Sequence, residues 1–464
     1  MSRNLEFDEN MCGAAETGQK QLKLFVETFG CQMNVNDSEV VVSVMRDNGF
    51  VLTADPENAD VILMNTCAIR ENAEKKALNR LMHFIQEKRK RPGLKVGVIG
   101  CMAAGLKEKL KKNGSQVDII AGPDSYRQLP SLIQEADGGQ QAVNILLSRE
   151  ETYADISPVR MDKNGVSSFV SIMRGCNNFC SYCVVPRTRG RERSRNPHSV
   201  FREVEKLAEQ GYREVTLLGQ NVNSYRWKEE STGKEIDFAG LISRVASVSM
   251  DMRVRFSTSH PKDISDRLLY TIAEHNNICR HIHLPVQSGS TRILNLMNRG
   301  YSRKSYLERV NAAKKIIPGC SVSTDIIAGF CSETEEDHHE TMTLMEEAGF
   351  DFAFMFKYSE RPGTAAAKNL PDDVAGDVKT RRLNEIIELQ NRLSSESNKK
   401  EEGKTYTVLA EGKSKKSPLE LFGRTSHNKV AVFPEGNIKP GDYADIVITG
   451  YTSATLIGRI RNRS

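Results

Sequence analysis

The stretch RGCNNFCSYC, from Arg174 to Cys183, holds three thiols at Cys176, Cys180 and Cys183. Thiolates at such short spacing bind metal. A closed structural zinc site needs a fourth ligand, and the nearest, His198, lies beyond an arginine-rich run. An iron–sulfur cubane held by three thiolates instead leaves one iron open to a reactant. Cys-x3-Cys-x2-Cys after a short apolar run suits the second case better.

A second set of cysteines is spread along the chain. Cys31 follows LKLFVET, Cys67 follows VILMN and Cys101 follows VGVIG. Each run reads as a β-strand, so each thiol sits at a strand's carboxyl end, where parallel α/β sheets gather their ligands in one crevice. Cysteines more than 30 residues apart in sequence can meet there. Three separately buried thiols are the plainer alternative, but the settings FGCQMN, NTCAIRE and GCMAAG are polar. Ten cysteines without a secretory leader point to a reducing compartment and to metal or redox chemistry rather than disulfides.

The elements that must position these thiols fall into three segments. Over residues 21–136, apolar runs alternate with the amphipathic stretches SEVVVSVMRDNGF, ENAEKKALNRLMHFIQEKRK, GLKEKLKKNG and LPSLIQEA, the pattern of an α/β domain with a parallel sheet. Residues 137–168 read mainly as a linker, with some apolar residues that could order against a neighbour. From 169 to 398, six strand candidates (FVSIMRG, EVTLLGQ, RVRFSTS, HIHLPVQ, SVSTDIIAG, FAFMFKYS) alternate with helices such as SVFREVEKLAEQG and YLERVNAAKKII, which makes a partial (β/α)6 barrel. Residues 399–464 break into short β-rich runs between Gly, Pro and Asn, the look of a small antiparallel, OB-like barrel of the kind that binds oligonucleotides.

Composition narrows the classes further. The chain is 39% hydrophobic and 27% charged, with a net charge of only +5, so any nucleic acid must be held by local basic patches. No apolar run is long enough to span a bilayer, and MSRNLEFDENMCGAAETGQK lacks the h-region of a signal peptide; a cytoplasmic protein without a membrane partner is expected. No Ser-His-Asp order or paired-carboxylate motif suggests hydrolysis. EEDHHE (Glu335–Glu340) reads as a helix start, and His281 and His283 as strand residues of the core or cofactor lining. In PRTRGRERSR, Arg187, Arg189, Arg191, Arg193 and Arg195 alternate; an extended backbone would put all five on one side, facing RNA phosphates.

CNNFCSYC, with Tyr182 before its last cysteine, resembles the cluster loop of radical S-adenosylmethionine enzymes. TFGCQMNVNDSE, NTCAIRENAEKK and GCMA resemble the N-terminal domain of the methylthiotransferases within that superfamily, and the C-terminal β segment resembles their RNA-binding TRAM domain. GCQMN, NTCAIRE and RGRERSR are similar to the branch acting on isopentenylated adenosine in tRNA. The resemblance implies two [4Fe–4S] clusters, one on Cys176, Cys180 and Cys183 and an auxiliary one on Cys31, Cys67 and Cys101. It implies two S-adenosylmethionine molecules per turnover: one methylates a sulfur at the auxiliary cluster, the other yields the 5′-deoxyadenosyl radical that takes hydrogen from carbon 2 of adenosine 37. A tRNA anticodon stem-loop and a flavodoxin or ferredoxin are the implied partners.

Small or polar residues after apolar strands, in LLGQNVNSY, FSTSHP, HLPVQSGS and DIIAGF, supply candidates for the cofactor pocket: Asn221, Ser257, Gln287 and Asp325, with Tyr182 beside the cluster. KYSERPGTAA resembles the family's final barrel motif. GFCSETEED departs from it, with Cys331-Ser332 where Pro and Gly are common. Two other readings are carried forward: the same chemistry on threonylcarbamoyl adenosine or a ribosomal protein side chain, and a zinc-stabilised RNA-binding module without catalysis.

Overall fold

The structure is a computed structural model that describes residues 21–66, 71–105, 116–161, 165–229 and 232–461. Cys67, and most of the expected helix GLKEKLKKNG, lie outside the described residues. The chain divides into two compact units: Met1–Lys163 with Met173–Asn177 and Val184–Ser199, and Asn164–Ile172 with Asn178–Cys183 and Val200–Ser464.

The first unit is built on a six-stranded sheet of β1 (Lys23–Phe29), β2 (Val51–Leu52), β3 (Val61–Thr66), β4 (Lys95–Ile99), β5 (Ile119–Ala121) and β6 (Ala142–Asn144), ordered β2-β1-β3-β4-β5-β6. Every pairing is parallel. Central strands of such a sheet are covered on both faces, which explains the unbroken apolar runs. Alternate residues face opposite ways: Leu24, Val26, Val61 and Leu63 pack with the helix Gln32–Asp47, whereas Phe25, Ile62 and Met64 pack with Glu71–Lys90. The chain leaves β1 for β2 on one side and β3 lies on the other, so the carboxyl ends of β1 and β3 flank a switch point.

The linker reading of 137–168 gives way over much of its length. β6 lies within it and extends the sheet, and Tyr153, Val159 and Met161 are buried in the core beside the helix Gln32–Asp47. Ser43 ties the segment down, its Oγ accepting from the Val159 N–H at 2.7 Å and donating to the Ser157 carbonyl at 3.1 Å. Few apolar residues spaced among Gly, Gln and Asp give no periodic signal, and they divide: Ala142, Tyr153, Val159 and Met161 enter the core, whereas Leu146 and Leu147 stay exposed.

The second unit opens with β7 (Ser167–Ser171). The segment after it contains β8 (Met173–Arg174) and β9 (Arg193–Ser194), an antiparallel pair that groups with the first unit. Beyond come β10 (Glu214–Leu218), a hairpin of β11 (Arg226–Lys228) and β12 (Glu235–Asp237), then β13 (Arg253–Ser257), β14 (His281–His283), β15 (Ser321–Ala328) and β16 (Phe352–Lys357). Two parallel sheets, β13-β10-β7 and β14-β15-β16, are joined by a parallel bridge between Val254 and Ile278. The result is the expected six-stranded partial barrel, with all carboxyl ends at one mouth.

The C-terminal strands β17 (Thr405–Lys413), β18 (Glu420–Arg424), β19 (Val430–Pro434), β20 (Tyr443–Tyr451) and β21 (Leu456–Ile460) close into a five-stranded barrel. Its pairings are antiparallel except β19 with β21. It seals the amino end of the partial barrel through buried charge: Arg255 donates to Glu214 at 2.6 Å and to the Thr425 carbonyl at 2.8 Å, and Arg424 reaches Glu214 at 2.9 Å. Burial would raise the Glu214 carboxyl, but Arg255 and Arg424 outweigh it and hold it below the ordinary range.

Candidate active site

Cys31 is the N-cap of the helix Gln32–Asp47, at the positive end where negative charge is favoured. Its thiol meets Asn34 Oδ1 at 3.1 Å, Asn34 donates to Asn65 Oδ1 at 3.0 Å, and Asn65 returns a bond to the Asn34 carbonyl at 2.8 Å. This buried network locks the first helical turn to β3. Cys101 follows β4 through Gly100, whose φ of +85° and a Cβ that would lie 2.4 Å from Asn65 Oδ1 both demand glycine. Burial pushes the Cys101 thiol up, and Arg189 pulls the other way.

The arginine tract is the main correction to the sequence reading. Arg187 lies in a short helix, Val185–Thr188, and only Arg187 and Arg191 are exposed. Arg189, Arg193 and Arg195 turn inward, exposed by 3%, 7% and 5%. Arg189 donates from Nε to the Cys101 sulfur at 3.1 Å and from Nη2 to Asp37 at 2.7 Å. Arg193 grips Asp124 through Nη2 at 2.9 and 3.1 Å, and Arg195 bonds Ser199 Oγ at 2.8 Å. An extended row was expected; acids distant in sequence, Asp37 and Asp124, fold the tract around themselves instead. Arg174 completes the set, meeting Asp37 at 2.8 Å. Burial works against the Asp37 charge, yet Arg174 and Arg189 hold its carboxyl below the usual range.

Cys176 falls in the first unit, and Cys180 and Cys183 in the second, on one continuous loop. The Cys176 N–H donates to the Gly190 carbonyl at 3.2 Å, and Gly175 before it, at φ +76°, has no room for a Cβ against the Arg191 carbonyl. The Cys183 N–H closes a turn on the Cys180 carbonyl at 3.0 Å. Arg299, which no sequence pattern singled out, donates from Nη1 to the Cys180 sulfur at 3.3 Å and from Nη2 to the Pro285 carbonyl at 2.8 Å. Tyr182 packs edge-on to Phe330 at 6.3 Å, with its hydroxyl 3.4 Å from Arg299. His198 is exposed. Among the described residues no three His, Cys, Asp or Glu side chains lie close enough to hold a metal ion.

Of the remaining candidates, Asn221, Ser257 and Gln287 stand at or just past successive strand ends, and Asp325 lies within β15. Asn221, after β10, is buried; its amide donates to Asp263 at 2.6 Å while Oδ1 has no partner. Ser257 ends β13, half-buried. Gln287, after β14, takes φ +73° and its N–H donates to the Asp325 carbonyl at 2.8 Å. Asp325, on β15, faces His283 Nε2 at 3.5 Å. Thr258 also takes φ +73°, a costly conformation for a β-branched residue that tends to mark functional sites. Ser332, in the departing GFCSETEED loop, sits at φ +62° where glycine would be relaxed.

His260, in the FSTSHP motif, was passed over in the sequence. Its Nδ1 accepts from the Lys262 N–H at 3.3 Å, which leaves the proton on Nε2, and that atom is buried without a partner. Burial, with Arg299 and Lys262, pulls the ring down to about 2, so it stays neutral. Gln220 Oε1, both polar atoms of the Asn223 amide and Ser259 Oγ are likewise buried and unpartnered. Native proteins rarely leave so many such atoms together. A polar ligand at the mouth fits them, as S-adenosylmethionine would with its amino, carboxylate and ribose groups. Guanidinium donors at the Cys101 and Cys180 sulfurs fit anionic thiolate–metal centres better than neutral thiols.

Three family models match in chain order: "Uncharacterized protein family UPF0004" over residues 23–122, the Radical SAM superfamily over 170–345 and the TRAM domain over 399–460. Among solved structures, the radical S-adenosylmethionine methyltransferase TsrM of Kitasatospora setae superposes with a TM-score of 0.54 at 15% identity, over 72% of this chain and 73% of that one. The cobalamin-dependent radical enzyme OxsB gives 0.51 at 12%, over 80% and 56%; at such identities the likeness is one of fold. Fold and thiol loop together define a radical S-adenosylmethionine enzyme with a TRAM domain. Two relatives are similar from end to end, each a tRNA-2-methylthio-N(6)-dimethylallyladenosine synthase. That of Amoebophilus asiaticus is 56% identical over 450 residues, 95% of this chain and 93% of its own. That of Phocaeicola vulgatus is 58% identical over 443 residues, 95% and 96%. The chain belongs to this tRNA methylthiotransferase family.

Proposed function

We propose that the protein places a methylthio group on carbon 2 of N(6)-dimethylallyladenosine at position 37 of tRNA, in the cytoplasm. The observation that carries this reading is the match to the synthases over 95% of the chain at up to 58% identity. Cys176, Cys180 and Cys183 would hold one [4Fe–4S] cluster, and Cys31, Cys67 and Cys101 the auxiliary one. When bound, the clusters and two S-adenosylmethionine molecules supply the electron, the radical source, the sulfur site and the methyl group.

The chain's own residues supply placement and charge. Arg299 and Arg189 offset negative charge at Cys180 and Cys101. His260, Asn221, Asn223 and Gln220 offer unpaired polar atoms to the cofactor, with Ser257, Gln287 and Asp325 beside them and Tyr182 packing behind the cluster loop. The TRAM barrel and the exposed Arg187 and Arg191 engage the anticodon stem-loop. A flavodoxin or ferredoxin would deliver the electron.

The test is turnover by anaerobically reconstituted protein with S-adenosylmethionine, a reductant and a stem-loop carrying the dimethylallyl base. Nucleoside mass spectrometry should find one hydrogen replaced by a methylthio group, with 5′-deoxyadenosine and S-adenosylhomocysteine as coproducts. Unmodified RNA alongside 5′-deoxyadenosine would mean that the substrate is wrong. The runner-up substrates, threonylcarbamoyl adenosine and a ribosomal protein, have no observation in their favour.

A further inference from the structure

β16 carries phenylalanine at alternate positions, Phe352, Phe354 and Phe356. Register sets them beside Ser323, Asp325 and Ile327 of β15. They therefore share the face opposite to Val322, Thr324, Ile326 and Ala328, the fully buried side of β15. Rings on a barrel's inner face are normally covered, yet Phe354 is 46% exposed and Phe356 37%.

The rings are held in order. His281 stacks on Phe352 at 5.4 Å and 14°, Phe352 meets Phe354 edge-on at 5.8 Å and 89°, and His283 meets Phe354 at 5.9 Å and 80°. Ser323 Oγ bonds both imidazoles, His281 Nε2 at 2.9 Å and His283 Nδ1 at 3.0 Å, and fixes their planes. The outcome is an aromatic ladder whose half-buried end, at Phe352, is braced and whose Phe354 ring is 46% exposed, one strand away from Asp325.

We propose that Phe354 and Phe356 form the subsite that receives the flipped-out adenine of the RNA and covers its dimethylallyl group. This rests on the function proposed above and deepens it by naming specificity-determining residues. A base must leave its stack to reach a buried reaction centre, and aromatic rings receive it by stacking. A branched five-carbon tail adds apolar area that two neighbouring rings can shield. Asp325 and the unpaired polar atoms of the other strands suit a charged cofactor; the phenylalanine wall suits the uncharged, prenylated base.

The experiment measures binding of two stem-loops, identical but for the dimethylallyl group, to the anaerobic holoprotein with S-adenosylmethionine. Wild type should prefer the prenylated RNA, and F354A should lose about tenfold of that preference, F354L less. F354W in a W227F background, which replaces the chain's only tryptophan, should be quenched by the prenylated stem-loop and not by S-adenosylmethionine alone. Iron content and unfolding midpoint check that the variants fold, which the exposure of Phe354 favours. Wild-type preference in F354A, or quenching by S-adenosylmethionine alone, overturns the assignment. If wild type itself shows no preference and forms no methylthio product, the proposed function fails and the subsite with it.

Discussion

Arg189 and Cys101, 88 residues apart, are joined by a buried hydrogen bond of 3.1 Å from the guanidinium Nε to the sulfur. The same guanidinium is tied to Asp37 at 2.7 Å, and Asp37 stands one and a half turns along the helix that Cys31 caps. A donor on a ligand sulfur withdraws charge from it, and such bonds help set cluster potentials. With Cys176, Cys180 and Cys183 changed to alanine, so that of the two thiol triplets only the auxiliary one remains, R189M should hold less iron after reconstitution and titrate at a more negative potential. R189K, which keeps the charge but loses the planar fork, should fall between. Wild-type iron content and potential in R189M would deny this role to the bond.

The pair formed by Asp37 and Arg174 is fully enclosed, at 2.8 Å. Asn in place of Asp37 would leave the buried Arg189 guanidinium without its carboxylate and Arg174 with only Asp124, at 3.7 Å, a loss of about 3–5 kcal/mol when one partner of a buried pair is removed. Urea unfolding of D37N should show it. The pH dependence follows from the same site. A carboxyl held low in the fold contributes stability that is full above its unfolded value of about 3.9 and lost as pH falls through the folded value. Wild type should therefore lose stability in strong acid more steeply than D37N.

The split within the arginine tract predicts two different phenotypes. Arg187 and Arg191 are exposed, so R187A/R191A should fold normally and bind tRNA more weakly, with the log–log salt slope reduced by about 1.5. Arg193 is enclosed around Asp124, so R193A should lower the unfolding midpoint instead. Binding titrations at several salt concentrations, together with melting curves, distinguish the two. An unchanged salt slope in R187A/R191A would remove both residues from the RNA contact.

What the sequence made legible has a physical pattern. Strand and helix order was readable because β1, β3 and β4 each carry a short apolar run, LFV, VILM and VGVI, and Glu71–Lys90 is amphipathic. The strand-end position of Cys31 and Cys101 followed from the same periodicity. The inward turn of Arg189 and Arg193 was not readable: their partners Asp37 and Asp124 lie 152 and 69 residues away, and an alternating charge run looks the same whether it faces phosphates or buried acids. Segment 142–161 showed only that it could order against a neighbour, and not where, because its anchoring, at Tyr153, Val159 and Met161, is sparse and aperiodic. Arg299, after the helix Thr291–Leu296, and His260, after β13, were hidden for another reason: single polar residues in a turn are ordinary turn chemistry until their unpaired or sulfur-bonded atoms are seen.

His260 offers a test of the barrel mouth by pH alone. Burial, Arg299 and Lys262 hold it near 2 in the folded protein, against about 6.5 when unfolded. Between those values the unfolded chain binds more protons, so stability rises with pH and is lost as pH falls. At pH 5 the imbalance is about 1.5 units, or about 2 kcal/mol. Urea unfolding of the metal-free protein at pH 7 and pH 5 should therefore show a larger drop for wild type than for H260Q, which cannot titrate. The same variant should bind S-adenosylmethionine more weakly if the unpaired Nε2 proton serves the cofactor, because glutamine cannot hold its donor at the same point. Equal pH dependence in the two proteins would mean that the ring is reached by water in solution, and its Nε2 would no longer need a ligand.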